Sequence, residues 1–433
     1  MKKNLLTISV FTALFIFLVT PGFAKETASN YEVATWKGFR ASAVTYTFDD
    51  QCSNQFPVAL PLFDALGYKA TFYPVINWGP SWDKFKTAAA NGHEVGSHTM
   101  SHPDLSSSSS QEAELKDSQN KINEQIPGNQ CVTIAYPYCN PGTPALISKY
   151  YIAGRICSGQ IESSTPQNFL NISSIACGDQ TTLTTASTLN QKVDAAITAK
   201  GWCVFLIHGV DNDGGYSPIS SSAIKSNLDY IAEKDSLVWV STFSNIVRYI
   251  KERNAATITE KSVLEKSITL TLTDSLTDSI YNVPITLRRP LPSTWTDATV
   301  VQNSKQLSSS IVTLTSSKYI VFDAIPDSGD ICITESSTAI IADHSNKQAQ
   351  AGITGYYTRN SFLFLTTQNI PGTELDIDII DLKGTTIRTL SITAEKPSGS
   401  SIQIPVRGIC KGTFLAVVRT KNRAFCKNML VKL

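Results

Sequence analysis

The feature that most constrains this chain is a change of hydrophobic period near residue 260. Before it, from about Tyr31 to Asn254, strand-like and helix-like segments alternate. Residues 43–48, 69–73, 94–96, 132–136, 203–207 and 238–241 read as strands, with 203–207 wholly apolar. Residues 56–66, 82–90, 193–200, 224–231 and 245–253 read as helices. Ser109 and Glu112 form a capping-box pattern that opens a further helix to about Ile126. Such alternation predicts an α/β region with a largely parallel sheet or barrel.

From about Lys261 to Asp343 the period becomes two, clearest in Ile268-Thr269-Leu270-Thr271-Leu272. Residues 283–287, 310–314 and 331–334 look similar, and Pro290, Pro292, Pro326 and Gly329 punctuate them. That pattern predicts a small β-sandwich. It carries no readable chemistry, and a spacer reading suits it best. After a linker-like stretch at 347–352 comes a third, all-β block to Leu433. The expected division is therefore 1–24, 25–258, 259–346 and 347–433.

The first of these pieces reads as a secretory signal peptide. Lys2 and Lys3 precede a run from Leu5 to Val19, apolar except at Thr7, Ser9 and Thr12. Pro21-Gly22-Phe23-Ala24 supplies small residues for cleavage after Ala24. The run is short for a membrane anchor, and no later stretch is apolar enough to span a bilayer. The expected mature protein is exported and has no transmembrane segment. Lys plus Arg number 37 against 36 Asp plus Glu, which leaves no basic footprint for nucleic acid.

The chemistry lies in the first block. Asp49 and Asp50 end a strand, where alternation points neighbouring side chains apart. One carboxylate is then free to hold a metal while the other faces substrate. His98 and His102 are spaced i, i+4, which on a helical turn places both on one face. Two imidazoles and one carboxylate leave a coordination position open for water, as catalytic metal sites do. Taken alone, the pair is a weak signal and reads more readily as two surface histidines after a strand. Of five histidines, His93, His98, His102 and His208 fall in this block. His208 follows the apolar strand, at the end where α/β sites are built. Tyr136-Pro137-Tyr138 also follows a strand and offers a backbone N–H to a developing oxyanion.

Five motifs in order carry a resemblance: Thr47-Phe48-Asp49-Asp50; Ala70-Thr71-Phe72-Tyr73; residues 92–103 around His98 and His102; Tyr136-Pro137-Tyr138; and Leu206-Ile207-His208. Together they resemble the polysaccharide deacetylases, the NodB homology domain of carbohydrate esterase family 4. The resemblance runs from about Trp36 to Arg253 and implies a deformed (β/α) barrel of the NodB type. It implies a hydrolase that removes acetyl groups from an N- or O-acetylated polysaccharide or oligosaccharide. Asp50, His98 and His102 match the metal ligands, usually for Zn2+, with Co2+ or Ni2+ as other divalent ions that suit them. Asp49 matches the base, His208 the acid, and the Tyr138 N–H the oxyanion donor. Pro137, Tyr138 and Tyr216 are the expected substrate contacts. Among the aromatics, Trp78 and Tyr216 are candidates to stack on sugar rings, whereas Trp82 starts a helix and reads as packing.

The chain departs from the family pattern twice. The usual Arg before the third motif is replaced by Ala135, and the usual Asp–Trp pair that orients the acid histidine is absent between Arg155 and Gly201. Arg155 and Asp179 are the candidates to substitute in space. These gaps leave a second reading, a non-catalytic carbohydrate-binding protein on a deacetylase scaffold. A third is a surface adhesin whose β-domains carry the function, and deletion beyond Asn254 would separate it from an enzyme.

Of nine cysteines, Cys52 and Cys139 lie just beyond strand ends beside the site and are expected to pair. Cys203 reads as a buried thiol, and Cys410 and Cys426 as a pair across a hairpin. The last block, with residues 375–384, Ile402-Gln403-Ile404-Pro405, 411–418 and 428–433, resembles the C-terminal sorting domain of the type IX secretion system. That resemblance implies export through the periplasm and outer membrane, with the type IX machinery as a partner.

Overall fold

The structure, a computed structural model, describes residues 30–336 and seven strands between residues 352 and 432. The expected signal peptide and the Cys410–Cys426 pairing lie outside the described residues. The chain divides into two compact units after residue 338.

The first unit begins with nine strands. They are β1 (Glu32–Val33), β2 (Ser42–Asp49), β3 (Thr71–Tyr73), β4 (Glu94–Val95), β5 (Thr133–Ala135), β6 (Ala153–Arg155), β7 (Ile175–Ala176), β8 (Trp202–Ile207) and β9 (Val238–Val240). Between and after them run α1 (Leu60–Asp64), α2 (Trp82–Ala90), α3 (Gln111–Gln125), α4 (Pro144–Ile147), α5 (Ala186–Ala199), α6 (Ser221–Glu233) and α7 (Phe243–Ala255). A parallel ladder runs β4-β3-β2-β8-β7, and a second pairs β5 with β6. Single bridges, Ser97 to Ile134 and Arg155 to Ile172, join the two. Followed in space, the strands close on themselves as an irregular barrel. β9 takes the first half of one edge of β2 and β3 the second half.

β2 and β8 are buried at every residue, as central parallel strands with both faces covered must be. Their inward hydroxyls are satisfied: Thr45 donates to the Ser241 carbonyl at 3.0 Å and Thr47 to that of Phe205 at 2.7 Å. Phe48 stacks on Phe72 and meets Phe63 edge-on. His93 is a structural pin. Its Nδ1 accepts from the Ala70 N–H at 3.0 Å, so Nε2 donates to Asp64 at 3.0 Å.

Three local expectations change. The segment read as one helix at 56–66 opens as a π-helical turn, Gln55–Ala59, and continues as α1. The Ala59 and Leu60 N–H groups reach back five residues, to Asn54 and Gln55, and Pro61 has no N–H to offer. The Ser109–Glu112 capping box does not form. Ser110 is the N-cap, and Glu112 accepts instead from Lys149 and Tyr150. α5 starts well before residue 193, because Thr185 and Thr188 form a capping box there.

The middle block adds β10 (Thr257–Val263), β11 (Ser267–Thr273), β12 (Ile285–Pro290), β13 (Ala298–Gln302), β14 (Lys305–Leu307), β15 (Ser309–Leu314), β16 (Ser317–Ala324) and β17 (Ile331–Glu335). They form two antiparallel sheets, ordered β1-β12-β16-β15 and β10-β11-β17-β13-β14. The expected break at 258 is not a break in packing. Leu270, Leu287 and Phe322 share one core with Trp36, Trp239, Phe243 and Tyr249 of the barrel. β1 pairs with β12, the Tyr249 hydroxyl donates to the Ala34 carbonyl at 2.9 Å, and Glu252 accepts from the Val283 N–H at 3.1 Å.

The second unit contains two antiparallel sheets. One has three strands, β18 (Gly352–Arg359), β19 (Phe362–Gln368) and a later strand, β22 (Ser401–Pro405). The other has four: β20 (Glu374–Ile380), β21 (Thr386–Thr393), β23 (Thr413–Thr420) and β24 (Cys426–Lys432). In β20, Ile377 and Ile379 are fully buried, and Asp378 between them is buried too.

A chain ending at residue 256 therefore leaves part of the barrel's own core bare, so deletion beyond Asn254 is a poor test of enzyme against adhesin. Residues 25–256 are expected to lose on the order of 3 kcal/mol or more against residues 25–338. That lowers the thermal midpoint by roughly 6–12 °C. Differential scanning calorimetry of the two chains measures it, and equal midpoints would contradict a shared core.

Candidate active site

The strand ends at one rim of the barrel bring the sequence candidates together. β2 delivers Asp49, 2% exposed, and the chain then turns through Asp50 (φ 66°) and Gln51 (φ 47°). Two consecutive non-glycine residues in the left-handed region are costly and need support. Gln51 supplies it by bonding the Val75 backbone twice, accepting from N–H at 2.9 Å and donating to the carbonyl at 3.3 Å.

His98 and His102 share a site, but not on a helical turn. The chain between them is a loop with Thr99 at φ 71° and His102 at φ 63°. Buried Glu114 of α3 holds this loop, accepting from the Met100 and Ser101 N–H groups at 2.9 Å each and from the Ser101 hydroxyl at 2.6 Å. The two imidazole centroids lie 4.8 Å apart. His98 Nδ1 is 2.7 Å from the Ala135 carbonyl, so it carries the proton and Nε2 presents a lone pair. That Nε2 is 3.5 Å from Asp50 Oδ1, and His102 Nε2 is 3.7 Å from the same oxygen. One ligand atom each from Asp50, His98 and His102 fall within 4.8 Å of one another. Asp50 Oδ1 is buried and has no hydrogen-bond partner among the described residues. An orphaned carboxylate oxygen facing two imidazole lone pairs fits a divalent cation.

Arg155 reaches the same place from β6. It stands directly opposite Ala135 in the β5–β6 register, so the guanidinium enters one strand over at the same height. It pairs with Asp49 Oδ2 and donates to Ser174 Oγ at 3.1 Å, with 1% of its surface exposed. Burial alone would raise Asp49, but the charge of Arg155 foremost, then His98 and His208, holds that carboxyl below its usual range. Asp50 behaves oppositely: burial, then the charge of Asp49, pushes it up to about 7. Burial lowers His98 to about 4 and also lowers His102 and His208.

His208 follows β8 and turns Nε2 toward Asp50 Oδ2 at 3.9 Å. Its Nδ1 is buried without a partner among the described residues. Asp179 does not orient it: Asp179 is exposed, and its carboxylate accepts from the Gln180 amide at 3.1 Å.

The Cys52–Cys139 expectation is overturned. Cys139 bonds Cys157, with Cα atoms 5.5 Å apart, because β5 and β6 are neighbours and both cysteines lie just past their ends. The bridge ties the turn carrying Tyr138 and Cys139 to the chain just beyond Arg155. Cys52 is a free thiol pushed up to about 12 by burial, and Cys203 is free and buried as expected.

Three exposed aromatics stand at the rim. Trp78 lies 5.0 Å from the His102 ring, Tyr138 meets His102 edge-on at 4.9 Å, and Tyr216 meets His208 edge-on at 5.1 Å. Pro137, which precedes Tyr138, is buried. Trp82 packs against Phe85, as a helix-starting aromatic should. No motif announces Gln51, Glu114 or Ser174, whose roles come from partners distant in sequence.

Comparison with known proteins adds four likenesses. The chain is 27% identical over 325 residues, 70% of its length, to a gellan lyase of a Bacillus species, and spans 13% of that protein. The Xyl-CE4 domain of a multidomain xylanase from the hindgut metagenome of Trinervitermes trinervoides shares 18% identity, over 47% of this chain and 89% of that one, at a TM-score of 0.35. A variant of the peptidoglycan deacetylase PdaC from Bacillus subtilis shares 18% over 51% and 95%, at 0.36. Residues 37–147, which supply Asp49, Asp50, His98, His102 and Tyr138, match the model of the polysaccharide deacetylase family.

Proposed function

We propose that this chain is a secreted, metal-dependent hydrolase that removes acetyl groups from an N- or O-acetylated polysaccharide or oligosaccharide. The observation that carries the reading is the convergence of Asp49, Asp50, His98, His102, His208 and Arg155 at one barrel rim. The likeness to part of a gellan lyase agrees with a polymeric sugar substrate. The Cys139–Cys157 disulfide beside the site agrees with export to an oxidising compartment. The strand-rich C-terminal unit and its terminal motifs support delivery by type IX machinery to the cell surface or medium.

Asp50, His98 and His102 would hold the ion, with Zn2+, Co2+ and Ni2+ as candidates. A divalent ion there supplies a Lewis acid and a water of lowered pKa. Asp49, kept ionised by Arg155, takes the proton from the attacking water. As the carbonyl oxygen gains charge, the Tyr138 N–H donates to it. His208 passes a proton to the departing nitrogen or oxygen, and acetate and the free sugar group result. Tyr138 and Tyr216 flank the acetyl position, and sugar faces rest on the rim aromatics, Trp78 included. The unpartnered Nδ1 of His208 favours one competing reading, a carbohydrate binder without turnover.

Acetate release decides between them. The chain without residues 1–24, zinc-loaded and metal-free, is offered acetylated xylan, chito-oligosaccharides and peptidoglycan. The expected result is metal-dependent release that Asp49→Asn lowers by roughly 100-fold or more. No release from any of the three with metal bound supports the binder.

Metal affinity should follow Asp50. Binding needs that carboxyl ionised and His98 neutral, and His98 is already neutral above about 4. Below about 7 the ion must displace the Asp50 proton, so affinity falls about tenfold per pH unit; above it, affinity levels off. Calorimetric titration at pH 6 and pH 8 should register about one more proton released at the lower value. An affinity independent of pH would remove Asp50 from the ligand set.

Arg155→Ala strands a buried carboxylate and should cost about 3–5 kcal/mol of stability. Urea denaturation measures it, and a change under about 1 kcal/mol would mean the pair does not support the site.

A further inference from the structure

We propose that Gln55 is the positioning residue that sets His208 against Asp49, an inference that rests on the deacetylase reading above. The β2–β8 ladder ends at the pair Phe48 and Ile207. Asp49 and His208 are the next residue on each strand, so their carbonyls lie just past the last ladder register. The side-chain amide of Gln55 bonds both, donating to the Asp49 carbonyl at 2.5 Å and the His208 carbonyl at 3.0 Å. One buried NH2 group thus spans the backbones of the proton acceptor and the proton donor, and Gln55 has no exposed surface.

The two sides of this bridge are not equally supported. Asp49 has Arg155 on its carboxylate. Among the described residues His208 has no partner on Nδ1, so its imidazole is aimed by its backbone, by contact with the Tyr216 ring and by Asp50 at 3.9 Å from Nε2. That makes His208 the residue that depends on the strut. The neighbouring residues brace it. Asn54 donates its side-chain amide to the Val210 carbonyl at 3.0 Å. Asp213 accepts from the Asn54, Val210 and Gly215 N–H groups at 3.1, 3.2 and 3.0 Å. The π-helical turn after Asp50 is therefore stitched to the loop that follows His208 and carries Tyr216.

A leaving-group comparison isolates this role. An amine or alkoxide leaving from a sugar needs the proton of His208, whereas 4-nitrophenolate leaves without one. The zinc-loaded chain, wild type and Gln55→Met, is assayed on 4-nitrophenyl acetate and on whichever of chito-oligosaccharide or acetylated xylan wild type hydrolyses. Gln55→Met should lower kcat on the glycan by roughly 100-fold, with KM within about twofold. The aryl ester rate should stay within about threefold, the same split that His208→Ala gives. Equal loss on both substrates, or loss on neither, overturns the proposal. If Gln55→Met does not fold, Asp213→Asn carries the test, with the same split expected at smaller size and its absence equally decisive. Wild type inactive on every glycan would instead overturn the deacetylase reading itself.

Discussion

The ion pair between Arg155 and Asp49 is the constraint on which the site depends. Both groups are almost wholly removed from water, where an unpaired charge is not tolerated. Each therefore dictates the other's place. Asp49 must leave β2 at the barrel rim, and β6 must run at the height that lets a guanidinium reach it. Burial first, and then Asp49 held as an anion beside it, discourages Asp50 from ionising until a cation compensates. Two adjacent carboxyls in one turn thus acquire opposite tendencies from their surroundings alone. The neutral imidazoles of His98 and His102 complete a pocket whose electrostatics call for one added positive charge.

Much of this was legible in the chain. The strand–helix alternation placed most elements within a few residues, since period and apolar runs are local properties. The clustering of His98, His102 and His208 with Asp49 and Asp50 followed from motif order. The local means of joining them did not. Residues 98–102 make a loop shaped by left-handed Thr99 and His102, where i, i+4 spacing alone suggested a helical turn. Arg155 was visible as a candidate, but only the register with Ala135 shows why it takes the position. Cys139 illustrates the same limit: its partner was set by which strands are neighbours, not by which residues flank the site. Gln55 and Glu114 carry no motif because their function is to bond backbone far away in sequence. The boundary expected at residue 258 marked a change of period, and a change of period does not require a gap in the core.

The disulfide bears on how the rim is kept. Tyr138 and Cys139 both occupy left-handed conformations, which the free chain populates rarely. Cys157 fixes that turn covalently to the strand that carries Arg155. The turn that carries Tyr138 and the guanidinium that holds Asp49 ionised are thereby tied to one another. Rigid support of this kind lets the surrounding loops vary without moving the reacting groups.

The pairing of β1 with β12 has a consequence for how the molecule comes to be. Glu32 meets Arg288 across 256 residues of chain. Contacts of that span are slow to form, because the intervening segment must be ordered or looped out first. A ribosome releasing this chain from its N-terminus cannot complete the core that the barrel shares with the middle strands until those strands have emerged. Completion of the fold thus waits on the middle strands.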